Sequence, residues 1–315
     1  MKQIKIVKNR SDIGAGTRGS DLGIDAIEVA AINLGNDYFA RYPYLDVETD
    51  NETVYSKVKA VFAKRIGFVY EQCERVAAAV KGTLEENYFP IVLSGDHSSA
   101  LGVMSGIKAQ HPDKRLGVVW IDAHADLHSP FTTPSGNVHG MPLAAALSED
   151  NVRNRTNRVS GHTEKIWTQL KNLGVEGPKL SSEDLIFFGV RDTEFPEEQI
   201  IKARGIRNYM VAEIRHRGMD KCMDEVVEKL KHCDVIYISF DVDSLDCDLV
   251  SRGTGTPVSK GFDPEEVVFI IQHLLDTQKV ACLEVTEVNP LLDTKGNKMA
   301  ETAFEVLDRV TAYMA

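Results

Sequence analysis

Cysteine is scarce in this chain of 315 residues, and what there is has no pattern. Cys73, Cys222, Cys233, Cys247 and Cys282 make an odd number, and no two stand in C-x-x-C spacing. That excludes a disulfide framework and a thiolate zinc site, and it reads as reduced thiols in a cytoplasmic protein. Long apolar runs are missing too. No stretch approaches the roughly 20 residues of a membrane span, and the lysines that follow Met1 lead into no apolar segment of a signal peptide. Positive charge is in deficit: 36 Lys and Arg face 47 Asp and Glu, for a net charge of −11. This argues against a nucleic-acid backbone or an anionic membrane as partner and weakly favours a cationic ligand. The glycine-rich stretch Gly14–Gly19 lacks GK[ST], so it reads as a turn rather than a phosphate cradle.

What is present is an alternation of short apolar runs with helical patterns. Strands are predicted at 3–7, 90–93, 116–121, 184–190, 208–212, 235–240 and 279–285. Helical spacing covers 98–109, 141–148, 197–204, 218–231, 263–275 and 298–313. A further helix is expected after the glycine-rich turn, capped near Ser20 or Asp21 with Ile24, Ile27 and Ala31 inward. Residues 36–52 read as loop, and 54–82 as helix with a break near Gly67. Segment 149–182 reads as a surface insertion or an oligomer contact, with one helix near 163–173. No internal repeat or Pro/Ser-rich linker divides the chain, so residues 1–315 are expected to form a single α/β domain around a parallel sheet covered on both faces.

The chemistry gathers where strands end. Leu116–Ile121 runs into Asp122-Ala123-His124-Ala125-Asp126. In an extended backbone alternate residues share a side, so Asp122, His124 and Asp126 are expected on one face, provided the chain has not turned by Asp126. The run 90–93 ends in Gly95-Asp96-His97, 235–240 ends in Asp241-Val242-Asp243, and 279–285 ends in Thr286-Glu287. Parallel sheets place ligands at the carboxyl ends of their strands, which makes these residues one candidate site. Four aspartates and two neutral imidazoles balance two divalent cations, if Asp122 and Asp241 bridge them. An oxygen and imidazole shell without thiolate suits Mn(II) and allows other first-row metals. A water bridging two such ions, roughly 3.5 Å apart, would become a hydroxide nucleophile near neutral pH. His139, in the polar loop 132–142, is a candidate general acid outside the metal shell. His111, His162, His216, His232 and His273 have no partner motif and are taken as structural or surface residues.

Phe240-Asp241-Val242-Asp243 also looks like the start of a haloacid-dehalogenase-type phosphatase, but Leu245 stands where that motif wants Thr or Val. It would leave Gly95–His97 and Asp122–Asp126 unexplained. Taken together, Gly-Asp-His-Ser at 95–98, Asp-Ala-His-Ala-Asp at 122–126, Ser-Phe-Asp-Val-Asp at 239–243 and Glu-Val-Asn-Pro at 287–290 resemble the ureohydrolases in kind and order. Ser-Gly-Asn-Val-His-Gly at 135–140 and Gly-Thr-Gly-Thr-Pro at 253–257 are similar to the arginases among them.

The resemblance implies a three-layer α/β/α fold with a central eight-stranded parallel sheet, two Mn(II) per subunit, and a trimer or hexamer. It implies His97, Asp122, Asp126 and Asp241 on one ion, and Asp122, His124, Asp241 and Asp243 on the other. His139, Glu287 and Asp126 would be the catalytic residues, with His139 moving the proton and Glu287 facing the guanidinium beside Thr256. Thr133, Ser135, Asn137, His128, Glu194 and Glu197 would contact the substrate's amino-acid head. Two positions depart from the arginase pattern. His128 replaces an Asn that meets the α-carboxylate, and Glu194 replaces an Asp near the α-amino group. The expected reaction is hydrolysis of L-arginine to L-ornithine and urea. The alternatives are a sibling acting on agmatine, guanidinobutyrate or another guanidino compound, and a catalytically silent metal or amino-acid binder.

Overall fold

Two sets of apolar side chains alternate along the strands, and that alternation decides the architecture. The computed structural model describes residues 3–314. Its strands are β1 (Ile4–Asn9), β2 (Tyr44–Asp46), β3 (Phe89–Ser94), β4 (Leu116–Ile121), β5 (Leu185–Phe188), β6 (Arg207–Tyr209), β7 (Val235–Asp241) and β8 (Val280–Thr286). They form one sheet in the order β2-β1-β3-β8-β7-β4-β5-β6, with every neighbouring pair parallel. Val119, Ile121, Ile236, Ile238 and Phe240 point to one face. There they meet the helices Gly23–Asn33, Met219–Lys229, Pro264–Leu275 and Lys298–Met314. Val118, Trp120, Val235 and Tyr237 point to the other, under the helices Ile66–Glu85, Ala100–Gln110 and Gly161–Lys171. The result is three layers. β3, β4 and β7 are buried along their whole length, as continuous apolar strands of a doubly covered sheet must be.

Helix Ala100–Gln110 lies unusually close to helix Ile66–Glu85 because two glycines face it. A Cβ on Gly102 would sit 2.7 Å from the Cys73 carbonyl oxygen, and one on Gly106 would sit 2.6 Å from that of Ala77. This contact fixes the helix that begins just after His97 against its neighbour.

Several boundaries differ from the sequence reading, each for a local reason. The 36–52 stretch is not all loop: it holds a helical turn, Tyr38–Arg41, and β2. β2 is an exposed edge strand, so burial imposes no apolar alternation on it. The helix expected over 54–82 is Ile66–Glu85 alone. It starts after Arg65, whose φ of 56° cannot continue a right-handed helix. Gly67 makes no break and lies in the first turn of that helix. Neither Ser20 nor Asp21 caps the first long helix, which follows a short 3-10 turn and begins at Gly23. The run 208–212 divides into β6 and a helix, Val211–Arg217, that periodicity did not separate. Segment 149–182 supplies helix Gly161–Lys171, which buries Trp167 and Leu170 in the second layer, with the Trp167 indole N–H on Asp150 Oδ1 at 2.7 Å. Among the described residues no helix is long and apolar enough to cross a membrane.

Candidate metal centre

The four central strands, β3, β8, β7 and β4, deliver the chemistry to one end of the sheet. After β3 the Asp96 carboxylate accepts the Ser98 and Gly14 backbone N–H groups, both at 2.8 Å, and turns His97 inward. After β4 the chain does not stay extended as the alternation argument required. The strand ends at Ile121, Asp122 Oδ1 accepts the His124 N–H at 2.6 Å, and Asp126 has a left-handed φ of 50°. Asp122, His124 and Asp126 converge through a compact turn rather than along a pleat. Asp241 is the last residue of β7, and its carboxylate accepts the Asp243 N–H at 2.8 Å. Glu287 follows β8 with a φ of 66°, its N–H tied to the Gly95 carbonyl at 3.0 Å.

These turns bring all six expected ligands together. His97 Nδ1 lies 3.1 Å from Asp122 Oδ2, 3.2 Å from Asp126 Oδ2 and 3.1 Å from Asp241 Oδ2. His124 Nδ1 lies 2.9 Å from Asp243 Oδ2 and 3.5 Å from Asp122 Oδ1. Among these six residues two sets of ligand atoms are close enough to share an ion: His97, Asp122 and Asp126, and Asp122, His124 and Asp243. Asp122 belongs to both. His97 Nδ1 and Asp122 Oδ2 are buried, lie next to each other, and make no hydrogen bond. That is costly for polar atoms unless they aim at a shared cation.

The protonation pattern says the same. Burial and the nearby Asp243 and Asp122 carboxylates push the Asp241 carboxyl well above the usual range. Burial and Asp122 push Asp243 up to about 6. Burial also opposes ionisation of Asp122, but His124 and His97 hold it below the usual range. Four carboxylates so placed need protons or metal, and a pair of divalent cations balances them.

A cavity of about 310 Å³ opens over this cluster. Its wall includes His139, Glu287, Thr256, Ser135, Asn137, His128, Glu194 and Glu197. His139 Nδ1 bonds Glu287 Oε1 at 2.9 Å, and the same oxygen accepts the His97 N–H at 2.9 Å. Burial works against charge on His139, yet Glu287, with Asp96 and Asp126, raises it to about 9. The Thr256 hydroxyl donates to Asp243 Oδ2 at 2.9 Å, so it reaches the cluster itself. Asn137 Oδ1 accepts Lys64 Nζ at 3.1 Å. Thr133 is not on the wall: it is buried, and its hydroxyl accepts the Gly136 N–H at 2.9 Å to shape the loop.

The Arginase family model matches residues 2–312. The chain belongs to the arginase family. It is 35% identical over 309 residues to the arginase of Bacillus subtilis (strain 168), covering 98% of this chain and 97% of that one. It is 36% identical over 231 residues to arginase-1 of Rattus norvegicus, covering 73% and 67%. Its fold superposes on the native structure of Bacillus caldovelox arginase with a TM-score of 0.83 at 33% identity, covering 98% of both chains. The dinuclear metal site of arginase-family proteins has its two ligand clusters here.

Reading the sequence for strand ends missed the residues behind this family's ligands. His97 Nε2 is 2.7 Å from Ser239 Oγ, and its ring stacks on Trp120 at 4.0 Å. Ser239 in turn reaches Glu284, at 3.4 Å. That carboxylate is fully buried and also takes the hydroxyls of Tyr237, Ser94 at 2.5 Å and Ser99 at 3.2 Å. Such a support fixes the tautomer and angle of a ligating histidine. The available signal was a polar residue at an inward position of an apolar strand, at 239 and again at 284. Asp192, 3.7 Å from His124 Nε2, stands just after the predicted strand 184–190, the same signal as the other candidates, but was not carried into the site.

Proposed function

We propose that this chain hydrolyses L-arginine to L-ornithine and urea, as a manganese-dependent cytoplasmic homo-oligomer, a trimer or hexamer. The observation that supports it most is the pairing of two metal-ligand clusters that share Asp122 with a carboxylate, Glu287, and an imidazole, His139, on the same cavity wall. His97, Asp122, Asp126, Asp241, His124 and Asp243 would hold the ions. When bound, the pair supplies a water acidic enough to act as nucleophile near neutral pH.

The remaining work falls to protein groups. Guanidinium is a resonance-stabilised cation and must be pinned. Among the described residues both hydrogen bonds to Glu287 fall on Oε1, which leaves Oε2 for the substrate. His139 gives its Nδ1–H to Glu287, and that carboxylate favours the imidazolium, which carries a second proton on Nε2. That proton goes to the leaving amine as the C–N bond breaks. Ser135, Asn137, Glu194 and Glu197 would meet the amino-acid head.

The test is urea release from Mn(II)-loaded protein with L-arginine, agmatine and guanidinobutyrate, against a chelated control. Metal-dependent turnover of L-arginine well above the others supports the reading. Preference for another substrate moves the assignment to a sibling activity, and no urea from any of them leaves a binding protein.

A further inference from the structure

Residues 155–157 belong to the irregular segment that precedes helix Gly161–Lys171, and no motif covers them. In the structure they lie along the loop 129–137 that walls the cavity. Asn157 is buried, and its Nδ2 donates to the Pro130 carbonyl at 3.1 Å and to the Thr133 carbonyl at 2.6 Å. The backbone N–H groups of Thr156 and Asn157 both donate to the Phe131 carbonyl, at 2.9 and 3.0 Å. Two adjacent residues thus satisfy three carbonyls of one turn. Buried carbonyls need donors, and the Asn157 amide supplies those of Pro130 and Thr133. Arg155 braces the contact: its guanidinium lies 4.9 Å over the Phe131 ring, and its Nε donates to the Asn157 carbonyl at 2.8 Å.

These bonds lead to the cavity. Thr133 Oγ1 accepts the Gly136 N–H at 2.9 Å, and Ser135 Oγ accepts the Asn137 N–H at 3.2 Å. Gly136 has a φ of 74°, and a Cβ there would sit 1.8 Å from the Val61 carbonyl oxygen, so this end of the loop is seated with no room to spare. Ser135 and Asn137 line the cavity, and Asn157 stands outside it. Asn157 therefore fixes the turn from which those two side chains reach the cavity. A loop without such an anchor keeps conformational freedom that a ligand must then remove on binding.

We infer that Asn157 is a positioning residue. It acts through Thr133 on Ser135 and Asn137, and so sets the affinity for the amino-acid head of the substrate without touching it. This rests on the guanidino-hydrolase reading above and gives the segment before helix Gly161–Lys171 a part in it. The reacting end is held elsewhere, by Glu287 and the metal ligands, so binding and turnover separate.

Steady-state urea release from L-arginine by the Mn(II)-loaded chain and its Asn157→Asp variant tests it. The variant keeps the size of the side chain and replaces its donor by an acceptor facing two carbonyls. KM should rise about tenfold, the order of one lost hydrogen bond, with kcat and bound manganese unchanged. The inhibition constant of L-ornithine, which has the same head and no guanidinium, should rise by the same factor. In a Ser135→Ala background the change should cost little more, since both act on one contact. Asn157→Ser, which also lacks the amide, serves if the aspartate does not fold and should show the same pattern. An unchanged KM would overturn the inference. So would a loss confined to kcat, the mark of a smaller folded fraction, or losses that add in the double variant. No urea from L-arginine with the unaltered chain would sink the proposed function and this inference together. An active parent with the wrong variant pattern sinks only the inference.

Discussion

Chelation should lower the melting temperature by an amount that counts the ions. The perturbation is removal of metal from the wild type and from two ligand variants. At free metal about a thousandfold above Kd, each ion that binds only the folded chain adds about 4.1 kcal/mol, so two ions add about 8 kcal/mol. Unfolding releases about 2.1 cal/mol/K per residue near 60 °C. For 315 residues that is about 0.66 kcal/mol/K, or about 1.5 °C per kcal/mol. The wild type should therefore lose about 12 °C on chelation. Asp243 belongs to one ligand cluster, so Asp243→Asn should leave a metal-dependent increment of about half that size. Asp122 belongs to both, so Asp122→Asn should leave almost none. Scanning calorimetry with and without chelator, with elemental analysis of the same samples, reads both quantities. Equal increments for the two variants would refute the shared-ligand geometry, and no increment in the wild type would refute the centre altogether.

His139→Asn should retain both ions and lose roughly 10²-fold or more in kcat; metal analysis beside turnover checks it, and an unchanged kcat removes the general-acid role. Ser239→Ala deletes one buried hydroxyl behind His97 and should weaken metal affinity by roughly 10- to 100-fold, read by chelator competition; wild-type affinity would show that His97 needs no support. In metal-free protein the raised His139 should make stability depend on pH. A histidine titrating near 6.5 when unfolded and at about 9 when folded contributes fully below the first value and loses its contribution as pH rises through the second. The melting temperature of chelated protein should fall across that window, and a slope that survives His139→Asn would exclude the histidine as its source.

The fold was legible where burial leaves a mark on sequence. β4 is the run Leu116–Ile121 that its apolar continuity announced, and β3, β7 and β8 lie within a residue or two of expectation. What burial does not touch stayed hidden: β2 is exposed, and the stretch before Ile66 carries helix-like spacing but holds only the end of a 3-10 turn, Asn51–Tyr55. The candidate ligand cluster was readable because acidic residues at the ends of buried strands demand an explanation. How they converge was not readable. The Asp126 turn depends on a single left-handed residue that no periodicity encodes. Ser239 and Glu284 were overlooked for a related reason. Their bonds join strands far apart in sequence, and each looks alone like an ordinary interruption of an apolar run. His128 shows the limit of transfer by position: its Nε2 bonds Glu194 Oε2 and its Nδ1 is 3.1 Å from Thr132 Oγ1, and a residue's place in a motif does not say which neighbour will claim its nitrogens.

The place of β8 has a consequence for how such a chain is made. It is the last strand in sequence, yet it sits between β3 and β7 in the middle of the sheet. Until residues 280–286 leave the ribosome, β3 and β7 have no strand to join them, and the ligand on one side, His97, has no fixed relation to those on the other. The half-sheet of β4 and β7 carries Asp122, His124 and Asp243 without help from β8, whereas the cluster that needs His97 waits for β8 to join β3 to it. The two clusters are thus completed at different stages of synthesis, one before β8 and one after.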